Sequence, residues 1–211
     1  MKKDNRGGSI PHPRGLIFGW GINDADYRLV IKEYRGRTEG KQNIELLWAC
    51  PFYNRWKGLI ERCYSQRYQK KNPTYVGCTV HEDWKYFSNF KSWMQTQDWE
   101  GKQLDKDILV RGNKVYGPTT CVFVTQELNK FFKGAYKKEG ATLQGAYFRK
   151  DNSKYQVCCK QLDGTNKYLG QYDTEEEANC VWIEARKKLF QELALRQDDP
   201  KIKEAILNYY N

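Results

Sequence analysis

KYLGQYDTEEEA, residues 167–178, changes its period half-way along. Lys167 to Tyr172 suits an extended strand, with aromatics between polar residues. Thr174 then suits a helix N-cap, because its hydroxyl can accept an orphan backbone N–H. Glu177 stands three residues on, as in a capping box. The three acids Glu175, Glu176 and Glu177 sit where the helix dipole is positive. Beyond them Ala178, Val181, Trp182, Ala185 and Leu189 recur at helical spacing. The reading is a strand that ends at a capped helix, with one apolar face to bury.

Working outward, two more strands precede this one, at Gly145–Arg149 and Tyr155–Gln161. Residues 151–153 (DNS) and 163–166 (DGTN) supply turn chemistry between them. A last helix is expected over Pro200–Tyr209. Three short antiparallel strands backed by one helix leave the other sheet face open. The basic residues Arg149, Lys150, Lys154, Lys160 and Lys167 are read as strand-borne, and all five are candidate DNA contacts. A narrow antiparallel sheet of this kind can enter a DNA major groove.

The residues Gly145-Ala146-Tyr147-Phe148, Lys154-Tyr155-Gln156-Val157 and the 167–178 stretch together resemble the AP-two (ethylene-response-factor) DNA-binding domain. The resemblance spans roughly residues 140–190. It implies a sheet docked in the major groove, with Tyr147, Arg149, Lys154, Tyr155, Gln156, Lys160 and Lys167 as contacts. This chain has fewer strand arginines than the plant pattern. Arginine is the usual bidentate reader of guanine.

The rest of the chain is strongly basic. The whole carries a net charge of +10, yet residues 141–211 hold eleven basic and eleven acidic side chains, so the excess lies before them. Such an excess attracts polyanions. Aromatic residues make up 15% of the chain, and interleaved with Lys and Arg they suit phosphates, sugars and bases. No apolar run is long enough to span a membrane. The polar, basic Met1–Ser9 lacks the apolar core of a secretory signal, which sets the expected location as cytoplasmic.

Before the C-terminal module, Tyr27–Tyr34 and Ile44–Trp48 are expected as paired strands. Pro51 opens a helix with an apolar face at Tyr53, Trp56, Ile60 and Tyr64, which ends before the polar run Ser65–Pro73. A second helix begins at 81–84 and runs to Met94. Gln103–Val110 and Cys121–Val124 are expected as strands, followed by a helix at Gln126–Phe132 that Thr125 can cap. Residues 103–132 thus form a ββα unit.

Several pieces of this region occur together: Cys50-Pro51-Phe52-Tyr53 with Trp56, Arg62-Cys63-Tyr64, Val80-His81 with Trp84, Phe87 and Phe90, Leu104–Leu109, Gly112-Asn113-Lys114, and Tyr116-Gly117-Pro118 with Cys121 and Asn129. With Gly21–Ala25, this combination resembles phage HNH-like (homing-endonuclease-like) proteins. The resemblance implies a ββα nuclease hairpin, in which a His activates water, an Asn orients it, and strand and helix residues hold one divalent cation. Asp105 and Asn129 match the metal-ligand positions, and Asn113 the orienting one. The position of the general base is Lys106. A lysine of ordinary pKa is protonated at neutral pH and cannot take a proton from water. On a continuing strand Asp105 and Asp107 share a face, and with Asn129 could hold Mg²⁺.

Seven cysteines show no disulfide rhythm. Cys78 and His81 have zinc-ligand spacing, and Cys50, Cys63, His81 and Cys121 could form a structural Zn²⁺ site. The alternative is a set of buried thiols.

The expected protein is therefore α+β. A flexible basic arm covers residues 1–15, an HNH-like central domain 16–133, a Gly/Lys-rich linker 134–142 and an AP-two-type domain 143–211. Its expected partner is double-stranded DNA. Its activity is either metal-dependent nicking or cleavage of DNA, or DNA binding alone as a catalytically inactive regulator.

Overall fold

The computed structural model describes residues 15–133 and 143–210. The expected basic arm, apart from its last residue, and the expected linker lie outside them. The fold is mixed α+β, with six α-helices and four small sheets among the described residues. The chain forms two compact units. Of the described residues, one holds 15–99 with Lys114–Thr120, the other Glu100–Asn113 with 121–133 and 143–210.

In the first unit, β1 (Val30–Thr38) and β2 (Lys41–Ala49) form an antiparallel hairpin. Helix α1 (Pro51–Tyr64) begins at the expected proline and buries Trp56, Leu59, Ile60 and Cys63. The polar run after it is helical too, as α2 (Gln66–Lys71), with the Ser65 hydroxyl accepting the Tyr68 N–H. Its uniformly polar sequence carries no period to read.

The expected helix over residues 81–94 is broken. A 3₁₀ turn at Glu82–Lys85 stops at Tyr86, whose backbone is extended, and α3 (Phe87–Gln95) starts afresh. The cause is Ile22. Its N–H donates to the Lys85 carbonyl, and its own carbonyl accepts the Phe87 N–H. Those bonds hold the chain extended at Tyr86. Trp56 and Trp84 are then buried side by side, and the Trp56 indole N–H donates to the Trp84 carbonyl at 2.7 Å. Two-residue strands β3 (Thr79–Val80) and β5 (Val115–Tyr116) pair in parallel.

In the second unit, β4 (Gln103–Asp105) pairs antiparallel with β6 (Val122–Val124), and α4 (Gln126–Lys133) follows. The Thr125 hydroxyl caps α4 by accepting the Leu128 N–H. Strands β7 (Ala146–Arg149), β8 (Lys154–Lys160) and β9 (Asn166–Tyr172) form the expected three-stranded antiparallel sheet. Helix α5 (Glu175–Leu195) starts at Thr174, whose hydroxyl accepts the Glu177 N–H. Helix α6 (Pro200–Leu207) closes the chain.

The division between the two units differs from the expected one. Ile108, Val122, Leu128, Phe131 and Phe132 share one buried cluster with Phe190, Leu193, Ile202, Ile206 and Tyr209. The ββα segment therefore packs on the C-terminal helices as part of one unit. The apolar face of α4 is satisfied by residues far along the chain, which no local composition shift announces.

A glycine fixes how the sheet meets α5. Gly145 has φ +78°, and a Cβ there would lie 2.0 Å from Trp182 Cγ. Gly145→Ala is expected to cost about 2–4 kcal/mol in urea denaturation, combining a left-handed backbone with overpacking. Gly164→Ala, with φ +88° but open space around it, separates the two causes and should cost only about 1 kcal/mol.

Candidate nucleic-acid interface

The sheet has two unlike faces, and cross-strand pairing says which residues share each. Ala146, Phe148, Tyr155, Val157, Cys159, Leu169 and Tyr172 belong to the side covered by α5. Tyr147 pairs with Gln156 and Gln156 with Gln171; Arg149 pairs with Lys154, Cys158 with Tyr168, and Lys160 with Asn166. These form the open face. Tyr147 is 75% exposed on it, and Arg149, Lys160 and Tyr168 are exposed beside it.

Five of the expected contact residues thus stand together: Tyr147, Arg149, Lys154, Gln156 and Lys160. Three do not. Lys150 lies in the turn between β7 and β8. Tyr155 is half-buried on the helix side, with its ring 5.2 Å from that of Phe148. Lys167 pairs with buried Cys159 and lines a groove with Leu169, Cys180 and Glu184 against α5. The physical reason is a bulge. The register slips between Val157 and Cys158, where Gly170 has φ +125°. An extra residue in β9 exchanges the faces of everything before it, so Tyr168 replaces Lys167 on the open side. Sequence reasoning misses Tyr168. The signal that could have found it is an isolated glycine inside a strand.

The cations of this face are already oriented. Arg149 Nε and one terminal nitrogen each donate at 3.0 Å to Asp151. Hydrogen bonding to Asp151 holds the guanidinium above its ordinary value, and the same bonds hold the Asp151 carboxyl below the usual carboxylate range. Lys154 Nζ donates to Asp173 at 2.8 Å. Such exposed pairs are weak and exchange readily for other anions.

The ββα segment differs from the strand expected over 103–110. β4 stops at Asp105, because Asp105 Oδ1 accepts the N–H groups of Asp107 and Ile108 at 2.7 and 2.9 Å. A side chain that bonds its own backbone two and three residues on ends a strand. Asp105 and Asp107 therefore do not share a strand face. Asp107 instead accepts from Lys106 Nζ at 2.5 Å.

Lys106 is only 8% exposed. Its ammonium also donates to the Asn113 carbonyl at 2.6 Å, while Asn113 Nδ2 donates back to the Lys106 carbonyl at 2.9 Å. Lys106 and Asn113 thus clasp the two ends of the loop. Asn129, 5% exposed on α4, donates to Gln103 Oε1 at 2.7 Å, and its own Oδ1 is buried with no hydrogen-bond partner. Gln103 and Asp105 lie on the same face of β4, so Asn129 stands over that face.

The cysteines of the expected zinc set are buried thiols, none of them in a disulfide. Cys50 immediately precedes α1, without a side-chain capping bond, and Cys63 lies near its C-terminal end. At 1.5 Å rise per residue they are about 20 Å apart, too far for one ion to take both. Cys50 Sγ lies 3.6 Å from the Tyr27 hydroxyl. His81 is exposed, and its Nδ1 accepts the Asp83 N–H as a helix cap. Cys121 is buried in the second unit. Among the described residues no group of three or more His, Cys, Asp or Glu side chains is arranged to hold a metal ion. No helix among them is long and apolar enough to cross a membrane.

No family model matches this chain, and no curated protein or solved structure matches it either.

Burial pushes the Asp105 carboxyl upward, against the pull of its two backbone N–H donors. A carboxyl raised in the folded state is least stabilising once ionised, so its cost is present at neutral pH and relieved as pH falls into the carboxylate range. Asp105→Asn keeps an acceptor for the turn without the buried charge. It should be at least as stable as wild type at neutral pH, with the advantage shrinking in acid. Asp105→Ala loses the acceptor and should be about 1–2 kcal/mol less stable. Urea denaturation at both pH values checks this; equal damage from both substitutions would mean the charge itself is needed.

Proposed function

We propose that this protein binds double-stranded DNA through the open face of β7–β9. The observation that carries the reading is the co-location of Tyr147, Arg149, Lys154, Gln156, Lys160 and Tyr168 on one uncovered sheet face. Cations supply phosphate attraction, and aromatic and amide groups supply contacts to sugars and bases. The likeness to AP-two-type domains and the chain's net charge of +10 support the same reading.

We infer that the HNH-like segment serves binding and supplies no hydrolytic base. Lys106, in the place of the base, is clasped as a donor between Asp107 and the Asn113 carbonyl. A group abstracting a proton must offer a lone pair to water.

One observation favours the alternative, a metal-dependent nickase. The buried Asn129 Oδ1 lacks a donor, and a cation would satisfy it. Asp105 and Asn129 would then hold Mg²⁺, which supplies charge neutralisation at a phosphate. Asp107 fits less well, being held by Lys106.

The test is duplex binding across a salt series. Lys154→Ala and Lys160→Ala should each weaken binding and lower the salt slope by about 1, whereas Lys167→Ala should leave it unchanged. Salt-independent or absent duplex affinity would overturn the reading. Incubating wild type and Asp105→Ala with supercoiled plasmid and Mg²⁺ or Mn²⁺ addresses cleavage. Intact plasmid is expected from both; nicking by wild type alone would favour the nickase.

A further inference from the structure

Helix α2 buries none of its six residues. A helix this short gains little from its own hydrogen bonds, so its surroundings must hold it. Polar side chains do the holding. Gln69 Nε2 donates to the carbonyls of Cys63 at 2.6 Å, Arg62 at 3.3 Å and Tyr75 at 3.4 Å. That one amide ties α2 to the end of α1 and to a 3₁₀ turn at Pro73–Tyr75. The Tyr68 and Tyr75 rings meet edge to face at 5.7 Å. Tyr68 and Gln69 therefore mark the anchored side of the helix.

The other side carries Arg67, Lys70 and Lys71, all exposed. Residues at i, i+3 and i+4 share a helix face, and like charges at that spacing destabilise the helix. Arg67 also stands in the first turn, where the dipole disfavours a cation and no acid answers it. The sequence offers no relief. Residues 62–80 hold Arg62, Arg67, Lys70 and Lys71 and not one Asp or Glu. Among the described residues Arg67, Lys70 and Lys71 have no ion pair. Lys114 adds an exposed cation at the neighbouring turn, where its Nζ donates to the Thr74 carbonyl at 3.1 Å. Arg149 and Lys154 of the sheet, by contrast, each lean on a carboxylate.

We propose that the Arg67–Lys70–Lys71 face of α2 grips the phosphate backbone of duplex DNA. The inference rests on the reading that duplex DNA is the partner, and it adds a contact surface in the unit that lacks the β7–β9 sheet. A polyanion removes the repulsion that the helix itself leaves unanswered. At 1.5 Å per residue α2 is about 9 Å long, and phosphates of one strand follow at about 3.4 Å along the axis, so three cations can face two or three of them. An anionic membrane suits the face less well. Membrane-surface helices set apolar side chains beside their cations, and α2 offers only the half-buried Tyr68. Contacts of this kind position a duplex without reading its bases.

Duplex binding by the full chain across a salt series tests this, with Arg67→Gln, Lys70→Gln and Lys71→Gln combined in one variant. Each lost phosphate contact lowers the salt slope by about 0.9, so the slope should fall by about 2–3 and affinity by on the order of a hundredfold at 0.1 M salt. The loss should be equal on two unrelated duplexes of the same length. A control variant combining Lys188→Gln, Lys201→Gln and Lys203→Gln, on α5 and α6, loses the same net charge and should keep the wild-type slope. Urea denaturation should find the α2 variant no less stable than wild type, because the substitutions remove repulsion from an exposed face.

An unchanged slope in the α2 variant overturns the proposal. If Lys154→Ala and Lys160→Ala still lower the slope, the sheet reading survives that failure. A slope lowered by the α2 variant but by neither sheet substitution overturns the sheet reading instead and leaves this one standing. Equal loss in the control variant would assign the effect to net charge alone, and loss on one duplex only would assign it to base readout; each overturns backbone contact by α2. Binding to phosphatidylserine vesicles that the α2 variant loses, with duplex affinity unchanged, would give the face to a membrane and overturn the proposal as well.

Discussion

A buried guanidinium organises the second unit. Arg186 on α5 is almost wholly buried, with its guanidinium carbon 3.8 Å from the centre of the Phe131 ring and 5.0 Å from that of Phe190. It donates to the Phe131 carbonyl at 3.0 Å and to the Tyr210 hydroxyl at 3.4 Å. Burying a cation is costly unless its donors and its charge are met. Here aromatic faces meet the charge, and the end of α4 and the C-terminal tyrosine meet the donors. Those partners come from three separated segments. Arg186 can be satisfied only when α4, α5 and the C-terminus are assembled together, which makes the ββα segment and the sheet module one folding unit.

This dependence explains what the sequence could and could not reveal. Signals confined to a few residues are legible. Thr174 with Glu177, Pro51 at the start of α1, and the turns between β7, β8 and β9 all act locally, and their elements stand where expected. Features decided by a distant partner are not. The break at Tyr86 depends on the backbone of Ile22, and the shared core depends on Phe190 and Ile206 meeting Phe132. Composition marks 134–142 as a boundary because it is polar and glycine-rich, but compact units are set by which apolar faces meet.

The candidate site divides in the same manner. Strand alternation by itself puts Tyr147, Arg149, Lys154, Gln156 and Lys160 on one face. It fails at Lys167, because one bulge reverses the parity of a strand. It fails again at Asp107, because the Asp105 carboxylate ends the strand that alternation assumes. In both places a single backbone irregularity redirects a charged side chain. The residues concerned are correct in kind, and their direction is decided by a glycine or an Asx turn.

The distribution of charge bears on how such a protein would meet DNA. The C-terminal segment from residue 141 has no net charge, yet its sheet presents cations on an open face and its carboxylates at turns. The excess charge of the chain lies before residue 141. Long-range attraction depends on net charge and falls within about 10 Å in physiological salt, whereas base contacts depend on fixed side-chain direction. On the proposed reading, the two tasks fall to different stretches of sequence. The first part draws the polyanion in without sequence preference. The sheet, with Arg149 and Lys154 already oriented by Asp151 and Asp173, adds contacts that only a fitted groove can complete. A cation held by a carboxylate is a poor collector of distant phosphates, since its field is partly cancelled. Its orientation is fixed in advance, however, and that lowers the entropy lost when a fitted partner arrives.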